Sequence, residues 1–164
     1  MTNHDNTLMP LIPLRGLTVF PYMVISFDAG REKTVAAINE AVENNRLCLL
    51  VSQKDATKTE VESEDLFEIG TIARIKQVLR LPGESVRVFA EGLFRGRVEE
   101  IVSAEDYFEA EVVQLESQSD LTELETAAMS RKLAEVFEAY GRASGKISGE
   151  TMLSMLVEED IGKL

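Results

Sequence analysis

The sequence predicts an α+β protein: a β-rich barrel or sandwich carrying one helix, followed by a helical segment. Three observations carry that expectation. Short apolar or alternating runs, punctuated by Gly and Pro, recur from Leu11 to about Leu115. A single amphipathic stretch, GREKTVAAINEAVENN, interrupts them. After Glu116 the apolar period becomes helical and stays so.

The elements follow in order. Residues 1–9, MTNHDNTLM, read as a mobile tail, and the barrel domain is expected over 10–118. MVISF is a short apolar run. Before it, TVFPYMV holds Pro21, which donates no backbone hydrogen bond and bars this stretch from a central strand. Phe20, Pro21, Tyr22 and Met23 are therefore expected near a strand break, partly exposed. In the helix, Val35, Ile38 and Val42 fall at spacings of three and four and Ala37 and Ala41 widen the stripe. Gly30 is the expected N-cap, and Asn44-Asn45 the expected end. RLCLLVSQ has an unbroken apolar centre, as in a strand covered on both faces. GTIARIKQVLRL and SVRVFAEG flank PGE, where Pro82 presets the first corner of a turn and Gly83 accepts the positive φ of the second. That predicts a long, arm-like hairpin with Leu79, Leu81 and Pro82 at its tip. LFRGRVEEI and YFEAEVVQL alternate, with Phe94, Gly96 and Val98, then Phe108, Ala110 and Val112, on the packed side. The helical subdomain is expected over 119–164. Ser119 or Asp120 caps its first helix, Gly141 and Gly145 break it, and Ser148 caps the next. Leu153, Leu156 and Ile161 lack an evident partner, so the subdomain reads as truncated at its C-terminal end; Ser117–Asp120 reads as a hinge.

Composition excludes several functions. A chain of 164 residues with 45% hydrophobic and 28% charged content is of soluble globular type. Its net charge of −12 opposes nucleic acid, and the one basic stripe, Arg74, Lys76, Arg80 and Arg87, reads as solvated strand side chains. No apolar run reaches the ~20 residues of a membrane span. The N-terminus has neither a signal-peptide nor a transit-peptide pattern, so the expected location is the cytoplasm. His4 is the one histidine and Cys48 the one cysteine, too few and too far apart to converge on a metal. Cys48, inside LCLLV, reads as a buried apolar thiol. GRASGK is one residue short of a phosphate loop and has Ile147 where Ser or Thr would hold the metal. Acidic pairs such as Glu99-Glu100 read as a solvated face. No catalytic, cofactor-binding or metal-ligating residue is expected in this chain.

The order of uncommon dipeptides points further. Leu14-Arg15, Phe20-Pro21, Gly30-Arg31, Gly70-Thr71, Leu81-Pro82 and Glu91-Gly92 stand where the N-terminal domain of the Lon family of ATP-dependent proteases has them. PLIPLRGLTVFPYMVISFDAGREKTVAAI resembles that family's opening, and DLFEIGTIARIKQVLRLPGESVRVFAEGLFRGRV its central block. The likeness runs over residues 10–115 and is looser beyond. Ser26-Phe27 stands for a usual Pro-Leu, Thr34 for a usual Ser, and Gly83-Glu84 for the usual Asp-Gly turn. The resemblance implies a PUA-like pseudo-β-barrel of about six strands with one helix, then the start of a helical subdomain. It implies a non-catalytic, substrate-recognising and assembly-supporting part of a bacterial homohexamer. ATP, Mg and the serine–lysine pair of such an enzyme would belong to modules beyond Leu164.

As a fragment the chain is expected to be a monomer or weak dimer. A receptor for unfolded proteins needs shallow apolar patches, strengthened by avidity across copies. The expected contacts are Phe20, Pro21, Tyr22 and Met23, and Leu79, Leu81 and Pro82 at the hairpin tip. Arg31, Glu32 and Lys33 open the helix with two charges that oppose its dipole, which suggests contact with substrate or another subunit. The alternatives are a stand-alone small-ligand sensor and a structural spacer that sets hexamer geometry.

Overall fold

The computed structural model describes residues 6–116 and 120–158. The chain divides into two compact units, Met1–Glu116 and Ser117–Leu164. The first holds β1 (Thr7–Leu14), β2 (Val24–Ala29), α1 (Glu32–Glu43), β3 (Leu47–Ser52), a 3-10 turn (Ser63–Asp65), β4 (Ile69–Arg80), β5 (Val86–Ser103) and β6 (Glu109–Leu115). The second holds α2 (Glu123–Ser144) and α3 (Gly149–Val157).

The strands form one six-stranded sheet in the order β2-β5-β4-β3-β1-β6, and β5 also pairs with β6. The pairings therefore close a circuit through β5, β4, β3, β1 and β6, with β2 attached outside it. β5 makes this possible by its length. One edge pairs with β4 along residues 86–97, while the other takes β2 at residues 86–91 and β6 at residues 95–103. Register shifts in both long ladders bend them, as bulges do. β1 and β3 run parallel, and every other pairing is antiparallel.

Two apolar cores follow from strand alternation. Met9 and Leu11 of β1, Leu49 and Val51 of β3, Ile72 of β4, and Ala110 and Val112 of β6 share one core, with Val98 and Ile101 of β5 packed against it. All five strands of the circuit thus contribute to it. The opposite side chains, among them Ile12, Leu14, Cys48, Leu50, Ile75 and Val88, meet Ala37, Ile38 and Ala41 of α1 in the other. β1 and β3 are covered on both faces, as the unbroken apolar run of β3 predicts. Cys48 is fully buried, and burial pushes its thiol up to about 12.

Several local expectations change. Thr7, Leu8 and Met9 are not tail: they pair with Val112, Glu111 and Ala110. The β4–β5 hairpin is long but is no free arm, because β2 pairs along residues 86–91 of its second strand. Phe94 is exposed rather than packed. The N-cap of α1 is Arg31, not Gly30, and no side chain caps the helix. A tertiary bond sets that boundary: Arg31 Nη2 donates to the Pro13 carbonyl at 3.0 Å. α2 is capped by Thr122, whose hydroxyl accepts from the Glu125 amide while the Glu125 carboxylate accepts from the Thr122 amide. Asp120 is not the cap, and Ser119 lies outside the described residues. Gly141 does not break α2, which runs on to a left-handed Gly145. Ser148 caps α3 as expected. Leu153 and Leu156 of α3 are exposed, and Ile161, His4 and residues 117–119 of the expected hinge lie outside the described residues.

Candidate functional site

The loop between β1 and β2 carries the first group of expected contact residues. Pro21 occupies the second position of a turn that the Met23 amide closes on the Phe20 carbonyl at 3.2 Å. Tyr22, the third residue, has φ +69. Proline followed by positive φ is the type II pattern, whose third position normally belongs to glycine. A tyrosine there carries on the order of 1–2 kcal/mol of strain, held in place by its surroundings.

Those surroundings are backbone clamps. The Tyr22 amide donates to the Gly92 carbonyl at 2.8 Å, and the Gly92 amide to the Met23 carbonyl at 2.8 Å. Thr71 Oγ1 donates to the Val19 carbonyl at 2.5 Å, and Ser52 Oγ to the Leu17 carbonyl at 2.8 Å. Gly92 is buried, and a Cβ there would lie 2.5 Å from the Phe20 carbonyl oxygen, so only glycine lets the loop approach β5 this closely.

With its backbone tied down, the loop turns its side chains outward. Phe20 is 54% exposed, Tyr22 56%, and the adjoining Val24 74%; Met23 is also exposed and Pro21 half-buried. Sequence reasoning missed Val24, Thr71 and Gly92. The Glu91-Gly92 dipeptide was visible, but its role depends on Tyr22 and Met23, about 70 residues away in the chain.

The second group does not join the first. Leu79 and Pro82 are exposed and Leu81 half-buried, at the β4–β5 turn. β2 separates them from the loop: Val24 pairs with Glu91 at one end and Ala29 with Val86 at the other, a span of roughly 17 Å. The turn itself is lightly held, by the Leu81 amide on the Ser85 carbonyl at 2.9 Å and Ser85 Oγ on the Pro82 carbonyl at 3.2 Å. Gly83 takes the expected positive φ, +80.

The third group has work inside the domain. Besides Arg31 on Pro13, Lys33 Nζ donates to the Ala104 carbonyl at 2.5 Å and stands 5.8 Å from the Phe108 ring centre. These ties give the two basic residues a structural reason to oppose the helix dipole. Glu32 is exposed. In the basic stripe, Lys76 pairs with Glu91 at 2.5 Å and Arg87 with Asp28 at 2.6 Å. Among the described residues no His, Cys, Asp and Glu cluster is arranged to hold a metal, and no helix is long and apolar enough to cross a membrane.

Solved structures define the class of this fold. The N-terminal domain of Mycobacterium avium complex Lon protease superposes with a TM-score of 0.76 at 18% identity, covering 96% of this chain and 78% of that one. A Lon N-terminal domain protein from Xanthomonas campestris gives 0.55 at 19% identity, covering 94% and 92%. The architecture is thus that of Lon N-terminal domains.

Sequence carries the assignment further. Residues 8–164 match the model of the ATP-dependent protease La (LON) substrate-binding domain, and the chain belongs to that family. The Lon protease of Clostridium acetobutylicum is 41% identical over 150 residues, covering 92% of this chain and 19% of that protein. The Lon protease of Heliobacterium modesticaldum is 42% identical over 156 residues, covering 95% and 19%. The chain spans about a fifth of the length of these curated relatives.

Proposed function

We propose that this domain captures non-native polypeptide for an ATP-dependent serine protease of the bacterial cytoplasm, and supports that enzyme's assembly as a homohexamer. ATP with Mg, the unfolding motor and the serine–lysine pair belong, in this reading, to other parts of the enzyme. The domain's part is recognition without chemistry.

One observation carries the reading: a loop whose backbone is clamped by Thr71, Gly92 and Ser52 while Phe20, Tyr22, Met23 and Val24 are turned to solvent. Exposed large apolar side chains grouped on one surface mark interaction sites. Holding them rigid lowers the ordering cost of each contact. The binding is weak per domain and sequence-tolerant, and avidity across subunits strengthens it. Leu79, Leu81 and Pro82 form a separate, more yielding contact at the far end of β2.

The test is binding of a permanently unfolded, carboxymethylated protein to the wild-type chain and to the double variant Phe20→Ser/Tyr22→Ser. The expected result is an affinity lower by roughly tenfold, the loss of about two exposed aromatic contacts, with thermal stability unchanged. Equal affinity in the two proteins would refute the loop as the site.

A further inference from the structure

At the Ala29 end of β2, away from the Phe20–Met23 turn but beside the first residues of the same loop, lies a cleft of about 450 Å³ with an unusual charge arrangement. Leu14, Leu17, Phe27 and Ala29 give it apolar walls, and Arg15 and Arg31 line it with two guanidinium groups. Like charges repel, and burial followed by the Arg15 charge holds the Arg31 guanidinium below its ordinary value. The acid in the cleft does not balance them. Asp28 accepts from Arg87 through both oxygens, at 2.6 and 2.8 Å. Arg15 is exposed, with no hydrogen bond or ion pair among the described residues. Arg31 spends one N–H on the Pro13 carbonyl, which leaves four of its five donors. The uncapped start of α1 at Arg31 adds positive potential on the same side.

In a chain of net charge −12, two arginines gathered beside an apolar hollow without a free carboxylate are suited to an anion. Guanidinium groups take carboxylates through paired, charge-assisted hydrogen bonds. An inorganic anion would leave the apolar walls bare. We propose that the cleft binds a carboxylate attached to an apolar group, either the C-terminal residue of a captured polypeptide or an acidic side chain between apolar neighbours. This rests on the polypeptide-capture reading above and adds a chemical preference to it. A segment of about six extended residues reaches from the Ala29 end of β2 to the Phe20–Met23 turn, so one chain can occupy both.

The experiment is an NMR titration of the ¹⁵N-labelled chain, read at the Arg15 and Arg31 Nε–H resonances. The probes are acetyl-Ala-Ala-Leu as the free acid, the same peptide as its C-terminal amide, acetyl-Leu-Asp-Leu-amide, and inorganic phosphate. The free acid or the aspartyl peptide shifts both arginine resonances saturably, and whichever is tighter identifies the source of the carboxylate. The Ala-Ala-Leu amide binds at least roughly tenfold more weakly than the tighter of the two, and Arg15→Gln weakens that ligand by about tenfold. Arg15 is exposed, so its replacement leaves the rest of the spectrum in place. Binding of the amide as tight as either carboxylate peptide, unchanged affinity in Arg15→Gln, or phosphate binding at least as tightly would overturn the proposal. Phe20→Ser/Tyr22→Ser leaves these small-peptide affinities unchanged. A failure of the loop reading therefore shows in unfolded-protein binding alone, and a failure of the cleft in this titration alone.

Discussion

The 17–23 loop and the 81–85 turn look alike in sequence: each is an apolar stretch bent by a proline, and each turns at a residue with positive φ. They differ in how they are held. The loop is tied to β3, β4 and β5 through Ser52, Thr71 and Gly92, whereas the turn closes only on itself through Ser85. The loop can therefore keep a strained tyrosine and present a fixed apolar surface. The turn avoids that strain at Gly83 but not at Glu84, whose φ is +62, and with no tie to another strand it can follow whatever it touches. Rigidity in a loop comes from what its backbone bonds to, not from its composition.

Glycine replacement separates the two regions most widely. Gly92→Ala puts a methyl group 2.5 Å from the Phe20 carbonyl oxygen, against backbone that cannot yield without breaking its rungs to β5. The expected cost is about 1–3 kcal/mol in urea unfolding. Gly83→Ala meets nothing within 4 Å and suffers only from its φ of +80, so its cost is about 1 kcal/mol and the loop is undisturbed. Equal losses in the two variants would break the contrast.

Tyr22→Gly sharpens it in the other direction. Relief of positive-φ strain and the extra freedom of glycine in the unfolded chain oppose each other, leaving stability unchanged or raised by up to about 1 kcal/mol. Binding of unfolded protein nevertheless falls. A variant that folds as well or better yet binds worse marks Tyr22 as kept for contact. Lower stability would mean that the ring is needed for packing.

The sequence revealed elements whose environment is written locally. The unbroken run of β3 announces a strand covered on two faces, and Phe108, Ala110 and Val112 announce the inward face of β6 and its approach. The helix stripe around Ile38 is equally plain. What escaped depends on distant partners. Thr7, Leu8 and Met9 become strand because β6 offers them an edge, and Arg31 becomes the N-cap because Pro13 offers its carbonyl. The same holds at the site. Phe20, Tyr22 and Met23 could be placed near a break from Pro21 alone, but the clamp that fixes them needs Gly92 and Thr71. The Arg15–Arg31 pairing across the cleft likewise arises only when β1 and α1 are brought together.

Amide hydrogen exchange tests the central claim, that the apolar loop is held rigid for display. The amides of Tyr22 and Gly92, which cross-link loop and β5, are expected to exchange slowly, near the rate of strand amides in β5, while the amides of Gly83 and Glu84 exchange within the dead time. Exchange of Tyr22 and Gly92 as fast as that of Gly83 would contradict the account, since the loop would then be as loose as the turn.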